Sequence, residues 1–542
     1  MLADEPPNCI APDHHAAQAA CAFAMTPAVD EPRTYHEAMS SHDAQQWSEA
    51  VRAELDALNQ LRTWRPAKLP KGAKLVGTRW LFKRKRDSDG VVIKYKGRVI
   101  AQGWSQRPGR DFENSFTPTA QLASIRLVLT IAAAFNMIVE QGDVSNAFLN
   151  SPIDRPVYVK APEGYRLPDG ADCLELLKAL YGTKQAGHQW WQTLKKEFNA
   201  IGLVACCSDW SIYYMGHGHS YVIVVVYVDD MLVVSRSQRA IDRIFHLLGK
   251  KWKITRSPKV EQLLGIRIRR SYGIFKISMP AYIDILAERF TEFPTTEGKY
   301  SPLKPGCPSN DDLEPHPNDA QVDRNRYAEL TGCLLWIART ARIDVMYAAS
   351  ALARHTNAPT WRLWQMGLRV VAHLVATKGK ELHIGGPLKD LEAHSDADLG
   401  GSPDGRSTTG IVVTFCGTPI SWTSKKQSTV AASTTESEWI AAYEAARDVM
   451  WIRNFLEELG IEQCGPTPLH CDNAPVVALA KNPFKHAASK HMHLKYHFLR
   501  EQVENGVVNM VQVPTATQLA DVLTKALPGP QHTNATKQLR IA

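Results

Sequence analysis

Apolar residues along this chain change rhythm from one stretch to the next, and the changes mark its elements. Trp47, Val51, Leu55, Leu58 and Leu61 are spaced for one face of a helix. Thr78–Lys85 and Val91–Gln102 read as strands, with Ser88-Asp89-Gly90 turning between them, and predict a β-hairpin. A helix over Ala123–Asn136, a strand ending near Asp143 and a helix from Gln185 to Ala200 follow. The runs Val222–Val226 and Met231–Val234 are dense in β-branched residues and predict two buried strands of a second hairpin, with a helix near Ile241–Leu248 behind it. Lys299–Pro317 is rich in Pro, Asp and polar residues and reads as a linker. Helices are then expected around Arg324–Thr340, Ile343–His355 and Thr360–Lys378, and a new α/β pattern runs from Leu391 to about Leu527. Residues 1 to about 40, without periodicity and rich in Ala, Pro, His and acids, predict disorder.

At 542 residues the chain is too long for one core and should hold two to four domains. The formal net charge of +8 is unevenly spread. Lys83, Arg84, Lys85, Arg86, Lys94, Lys96 and Arg98 crowd the first hairpin against few acids, which suits a polyanion better than a merely solvated surface. The ten Cys show no paired CxxC spacing, and Cys206-Cys207 are adjacent. Reduced thiols of an intracellular protein are expected, and a zinc site is not. Met1–Ile10 carries no secretory pattern, and no apolar run is long enough to span a bilayer.

The sharpest chemical signal is Asp229-Asp230, two adjacent acids at the tip of the apolar hairpin. A tip made only for turning favours Asn-Gly or Asp-Gly. Two like charges about 4 Å apart repel by roughly 4 kcal/mol at an effective dielectric of 20, so a half-buried pair calls for a cation. Asp143, at a strand end, is a helix cap about as readily as a ligand when taken alone. A palm-like sheet would place it beside the hairpin tip, giving a carboxylate cluster for two Mg²⁺, the arrangement phosphoryl transfer needs.

Trp80-Leu81-Phe82-Lys83, Tyr95–Gly103, Asp143–Leu149, Leu180–Gln185 and Tyr227–Asp230 together resemble the reverse transcriptase and ribonuclease H portion of a copia-type LTR retrotransposon Pol polyprotein, from about residue 45 to the C-terminus. The resemblance implies a mixed α/β (α+β) fold: a right-hand polymerase palm and fingers with a helical thumb and connection, followed by a ribonuclease H-like α/β domain. The boundaries it implies are 1–40 disordered, 41–290 fingers and palm, 291–385 linker and thumb or connection, 390–528 ribonuclease H-like, and 529–542 a tail. Asp143, Asp229 and Asp230 would hold the polymerase metals. Phe148 would be the aromatic gate beneath the incoming sugar, with a core Phe as the plain alternative. Lys96 and Arg98 would lie over the triphosphate, where Lys83, Lys85 and Lys94 are competitors, and Tyr181, Gly182, Lys184 and Gln185 near the base and template strand.

In the last α/β segment, acids at strand ends and helix starts occur in the order Asp396, Glu436, Asp472 and Asp521. Each has an ordinary reading: Glu436 as a capping-box acid, Asp472 as a cap, and Asp521 as an exposed acid of a final amphipathic helix. As a set they resemble the metal-binding carboxylates of ribonuclease H, and Ser421–Gln427, Asp472-Asn473 and Lys490-His491 match the copia-type pattern. The resemblance therefore implies RNA-directed DNA synthesis and cleavage of RNA in hybrids. Mg²⁺, with Mn²⁺ as a substitute, would be the cofactor; RNA template, DNA primer, RNA–DNA hybrid and dNTPs the partners; and cytoplasmic virus-like particles, with the nucleus, the location.

The chain departs from the family pattern at Thr183, Gly187-His188, Leu399 and His493. The stretch with His486, His491, His493 and His497 reads as a basic nucleic-acid face ahead of a metal site. No gag-like, protease or integrase segment is evident, which suits a polyprotein fragment, a truncated element or a separate reading frame. The rival reading is a decayed or host-adopted element that binds nucleic acid without catalysis.

Overall fold

The computed structural model describes residues 31–86, 92–294, 300–402, 404–481 and 493–542. Residues 1–30 of the segment expected to be disordered, the Ser88-Asp89-Gly90 turn and Lys490, His486 and His491 lie outside these, as does the side chain of His493. Within the segment expected to be disordered, Tyr35–Ser40 form helix α1, whose Glu37 N–H donates to the Thr34 hydroxyl at 3.1 Å. Helix α2 (Ala44–Gln60) packs its apolar stripe on the basic hairpin, Trp47 meeting Phe82 and Tyr95 edge-on at 5.2 and 4.7 Å. Strands β1 (Trp64–Ala67) and β2 (Leu75–Val76) precede that hairpin, which is formed by β3 (Thr78–Arg86) and β4 (Val92–Ala101) as expected.

Helix α3 (Leu122–Ala134) leads into β5 (Ile138–Val144), then β6 (Tyr158–Val159), β7 (Cys173–Leu176), helix α4 (Ala186–Ala200), β8 (Val204–Ala205), β9 (Ile212–Met215), β10 (Val222–Tyr227), β11 (Asp230–Ser235), helix α5 (Gln238–Gly249) and β12 (Ile254–Ser257). The central sheet has the order β12-β5-β11-β10-β9-β8, and a smaller one the order β1-β7-β6-β2. The pattern of β10 and β11 now has a physical reason. Ile223, Val225, Leu232 and Val234 face one core, while Val222, Val224, Val226, Met231 and Val233 face another. A strand buried on both faces carries no polar alternation.

Strands β13 (Gln262–Leu263), β14 (Ile266–Ser271) and β15 (Ile274–Ser278) and helix α6 (Pro280–Arg289) fill a region the apolar pattern left unmarked. Helices α7 (Arg324–Thr340), α8 (Met346–Ala353) and α9 (Trp361–Ala376) match the expected helices closely, α8 being preceded by a 3₁₀ turn at Ile343–Val345. Strand β16 (Leu382–Ile384) then pairs with β15, so the end of the segment expected as linker and helical thumb or connection, 291–385, joins a sheet of the segment before it.

The last unit comprises β17 (Glu392–Asp398), β18 (Thr408–Phe415), β19 (Thr418–Lys426), helix α10 (Thr434–Glu458), β20 (Thr467–Cys471), helices α11 (Ala474–Lys481) and α12 (His493–Glu504), β21 (Val508–Gln512) and helix α13 (Gly529–Gln538). Its sheet order is β19-β18-β17-β20-β21, antiparallel through β17 and parallel beyond it. The expected tail folds back: Glu381 and Ala542 exchange backbone hydrogen bonds of 2.8 and 3.1 Å. Asp521 lies in a 3₁₀ turn, Leu519–Leu523, rather than on an amphipathic helix.

The expected domains share one apolar core, which runs from α3 through α7, α8 and α9 into the C-terminal sheet. Arg126 of α3 is buried at that junction. Its guanidinium donates to Ile420 O and Arg339 O at 2.9 Å and to Thr340 O at 3.2 Å, and lies 3.8 Å from the Trp422 ring. Three carbonyl dipoles and an aromatic face replace the hydration a buried cation loses. Trp422, within the Ser421–Gln427 motif, therefore serves the junction between the two halves. Among the described residues no helix is long and apolar enough to cross a membrane.

Two candidate carboxylate sites

Antiparallel register builds the first site. Asp230, first residue of β11, is the Cα partner of Asp143 on β5. Tyr227 pairs with Asp230, leaving Val228-Asp229 as a two-residue turn. Val228 sits at φ 58°, a left-handed conformation that is strained for a β-branched residue. The turn is clamped: the Trp190 indole N–H donates to Val228 O at 2.6 Å, and Val144 N–H to Asp229 O at 2.9 Å. Strain held in this way keeps Asp229 beside Asp143. Burial pushes the Asp229 carboxyl up from its ordinary value, and the Asp143 charge adds to this, while Arg98 and Lys96 oppose it. Gln141 Nε2 donates to Asp230 Oδ1 at 3.2 Å.

Lys96 and Arg98 are two apart on β4 and so share one face. The Arg98 guanidinium lies 4.8 Å from the Tyr181 ring centre, and Tyr181 lies 4.7 Å from Phe148. The Tyr181 hydroxyl is pushed up to about 12, mainly by burial and also by Asp229, Glu54 and Asp143, against Arg98. A cation and two aromatic rings thus border the acids.

Two of the expected substrate-binding residues have a role in the fold. Gly182 adopts φ 88°, and a Cβ there would come within 2.2 Å of Ala101 O, so glycine is required for the loop to dock on β4. Gln185 is fully buried, accepting from Gln106 Nε2 at 3.0 Å and donating to Asp111 O at 2.9 Å. The Lys184 side chain is exposed and its backbone N–H donates to Gln106 Oε1 at 2.8 Å. The departures near this loop are accommodated: Thr183 donates its hydroxyl to Leu180 O at 2.8 Å, and buried His188 Nδ1 donates to Phe116 O at 2.7 Å.

Glu54 escaped the sequence reading. It is buried, receives the Val99 N–H at 3.4 Å, and has its carboxyl raised by burial and lowered by Arg98 and Lys96. The signal was present: with Trp47, Val51 and Leu58 it completes the apolar stripe of α2.

In the second site, Asp396 in the C-terminal half of β17, Asp472 just past β20 and Asp521 offer carboxylate oxygens within 4.8 Å of one another. Thr515 Oγ1 donates to Asp472 at 2.8 Å, the Thr524 hydroxyl donates to Asp396, and Lys525 pairs with Asp521 at 3.2 Å. Glu436 is not part of this cluster. It caps α10, its N–H donating to Ser433 Oγ at 3.2 Å and its carboxylate accepting from Ala432 N–H at 2.8 Å. Glu438 takes the place expected of Glu436: it is buried, and it groups with Cys471 and Asp472. Two residues further along a helix is more than half a turn, so the two Glu point in nearly opposite directions. Burial, with repulsion from Asp396 and Asp472, pushes Glu438 up to about 9; burial and Asp396 push Asp521 up to about 7. Asp398 is raised mainly by burial and lowered by Lys525. The signal for Glu438 was again its register, in step with Ala442, Ala445, Val449 and Ile452 on the buried stripe of α10.

A family profile described as reverse transcriptase (RNA-dependent DNA polymerase) matches residues 61–305. The chain is 32% identical to the retrovirus-related Pol polyprotein from transposon TNT 1-94 of Nicotiana tabacum, over 92% of this chain and 38% of that protein. It is 33% identical to the Pol polyprotein from transposon RE2 of Arabidopsis thaliana, over 94% of this chain and 35% of that protein. A transposon Ty5-1 protein of Saccharomyces cerevisiae is matched over its whole length at 31% identity, covering 57% of this chain. The chain thus spans little more than a third of the two plant relatives. It belongs to the family of copia-type transposon Pol polyproteins and carries that family's reverse transcriptase domain.

Proposed function

We propose that this chain is an RNA-directed DNA polymerase that also cleaves the RNA strand of RNA–DNA hybrids, each reaction using a carboxylate-held pair of Mg²⁺ ions. In this reading the central sheet is the palm, the basic hairpin belongs to the fingers, and the C-terminal unit is ribonuclease H-like. The observation that carries it is the pairing of Asp143 with Asp230, with Asp229 beside them under the influence of Lys96 and Arg98. Hard carboxylate oxygens that repel one another when ionised suit Mg²⁺ in both clusters. Bound at Asp143, Asp229 and Asp230, and at Asp396, Glu438, Asp472 and Asp521, Mg²⁺ would activate the attacking hydroxyl or water and neutralise charge on the leaving group.

The chain's own side chains would do the rest. Arg98 and Lys96 would take the triphosphate oxygens, Arg98 through two N–H groups at once. Phe148, held against Tyr181, would stack beneath the sugar and disfavour a 2′-hydroxyl. In the second site the 2′-hydroxyl would mark the RNA strand for cleavage.

Primer extension on an RNA template with Mg²⁺ and the intact chain tests the proposal. Template-dependent dNTP incorporation supports it. Hybrid binding without incorporation or cleavage would replace it with the binding-only reading.

A further inference from the structure

Glu392, His394 and His470 form a group that neither carboxylate site uses. His394 on β17 and His470 on β20 are Cα partners in parallel strands. Glu392 lies two residues before His394, on the same face of β17. One ligand atom from each of the three lies within 4.8 Å of the others. The two imidazoles are stacked at 4.4 Å with 25° between their planes.

The hydrogen bonds prepare His394 for ligation. Gln518 Nε2 donates to Ser395 O at 3.0 Å and to His470 O at 3.4 Å, and Ala520 N–H donates to Gln518 Oε1 at 3.3 Å. The amide is thereby oriented, so the 3.2 Å contact between Gln518 Oε1 and His394 Nδ1 has Nδ1–H as donor. That tautomer leaves the lone pair on Nε2. A ligating histidine is commonly fixed in this way, by a carbonyl taking its other N–H. His470 Nδ1 is closed to solvent and, among the described residues, has no hydrogen-bond partner. Glu392 is exposed at the open end of the group, where an ion could enter and a water could complete the shell.

We propose that Glu392, His394 and His470 bind one Zn²⁺ ion, separate from the Mg²⁺ sites, that clips β17 to β20. Two imidazole nitrogens and a carboxylate oxygen are a donor set suited to Zn²⁺, with water as fourth ligand. Ligands at about 2.0 Å around a tetrahedral ion lie about 3.3 Å apart, so small side-chain rotations would close the site. The ion would brace the two strands whose next residues on the same face are Asp396 and Asp472. No local motif spacing marks the site, because its two histidines come from adjacent strands 76 residues apart.

Cobalt titration of the metal-stripped full-length chain, with Mg²⁺ in excess to fill the carboxylate sites, tests this. One equivalent of Co²⁺ should give the visible ligand-field absorption of a four-coordinate ion, and Zn²⁺ should displace it. His470→Gln should abolish the absorption. Glu392→Gln, on an exposed residue whose replacement leaves the fold intact, should weaken Co²⁺ affinity at least about tenfold and remove the Zn²⁺-induced rise in melting temperature. Absence of the absorption would overturn the site, as would an absorption unchanged in Glu392→Gln or one lost in Asp472→Asn but kept in Glu392→Gln.

Discussion

The two carboxylate clusters gather like charges by different means and relieve them differently. Asp143, Asp229 and Asp230 are placed by antiparallel register and a clamped turn, and the relief comes from Lys96 and Arg98 on a hairpin distant in sequence. Asp396, Glu438, Asp472 and Asp521 converge on a partly parallel sheet with Lys525 beside them, and Glu438 and Asp521 are held partly as neutral acids. Asp229 is raised too, but the first site draws positive charge from another element, whereas in the second the large rises of Glu438 and Asp521 favour their protonated forms. A cluster that borrows charge is sensitive to its distant partner, whereas one that retains protons is sensitive to pH.

The largest test of the comparison is to break each site alone. Asp229→Asn should lower primer extension about 10³-fold and leave hybrid cleavage intact, and Asp472→Asn should do the reverse, since several kcal/mol of charge stabilisation is at stake. Loss of both activities from either change would mean that the sites are not independent. Next, Glu438→Gln should lower hybrid cleavage by at least about 10²-fold, whereas Glu436→Gln should cost only about 1 kcal/mol of stability through the cap. The opposite ranking, read by cleavage and thermal melts of both variants, would return the role to Glu436.

The pH response sharpens the contrast. A carboxyl whose folded pKa is raised binds its proton more tightly in the folded chain, so its contribution to stability is present at low pH and lost as pH rises. For Glu438 that window runs from the ordinary 4.5 to about 9, and for Asp521 from 3.8 to about 7. Without metal, the melting temperature should fall across this range, and the rise produced by added Mg²⁺ should grow with pH. Asp396→Asn should flatten both trends, and a metal-free stability that climbs from pH 5 to 8 in the intact chain would contradict the assignment. The smallest effect is expected at the borrowed charge. Arg98→Lys should raise the KM for dNTP about tenfold with a lesser change in kcat, because a single ammonium cannot make the paired contacts of a guanidinium.

How much of this was legible depended on how local each feature is. The basic hairpin, the helices over Arg324–Thr340 and Trp361–Ala376 and the strands flanking Asp229-Asp230 follow from periodicity and β-branching, and appear where expected. The capping role of Glu436 was also readable, from the spacing Ser433-Thr434-Thr435-Glu436. Glu54 and Glu438 share a signal that went unused: each is an acid in register with an apolar stripe, so the packing that buries the stripe buries the carboxylate too. Gly182 and Gln185 show the converse, since these motif residues dock a loop against β4 and Gln106, a role that local spacing does not reveal.

The sequence by itself determined the type of the long periodic elements, the family and which acids to examine, because these rest on spacing along one strand or helix. Tertiary structure alone decided which acid of α10 faces the sheet, that His394 lies beside His470, and that the two halves share a core closed around Arg126. Those depend on helix rotation, strand register and burial between residues up to 294 positions apart, quantities that local periodicity does not contain.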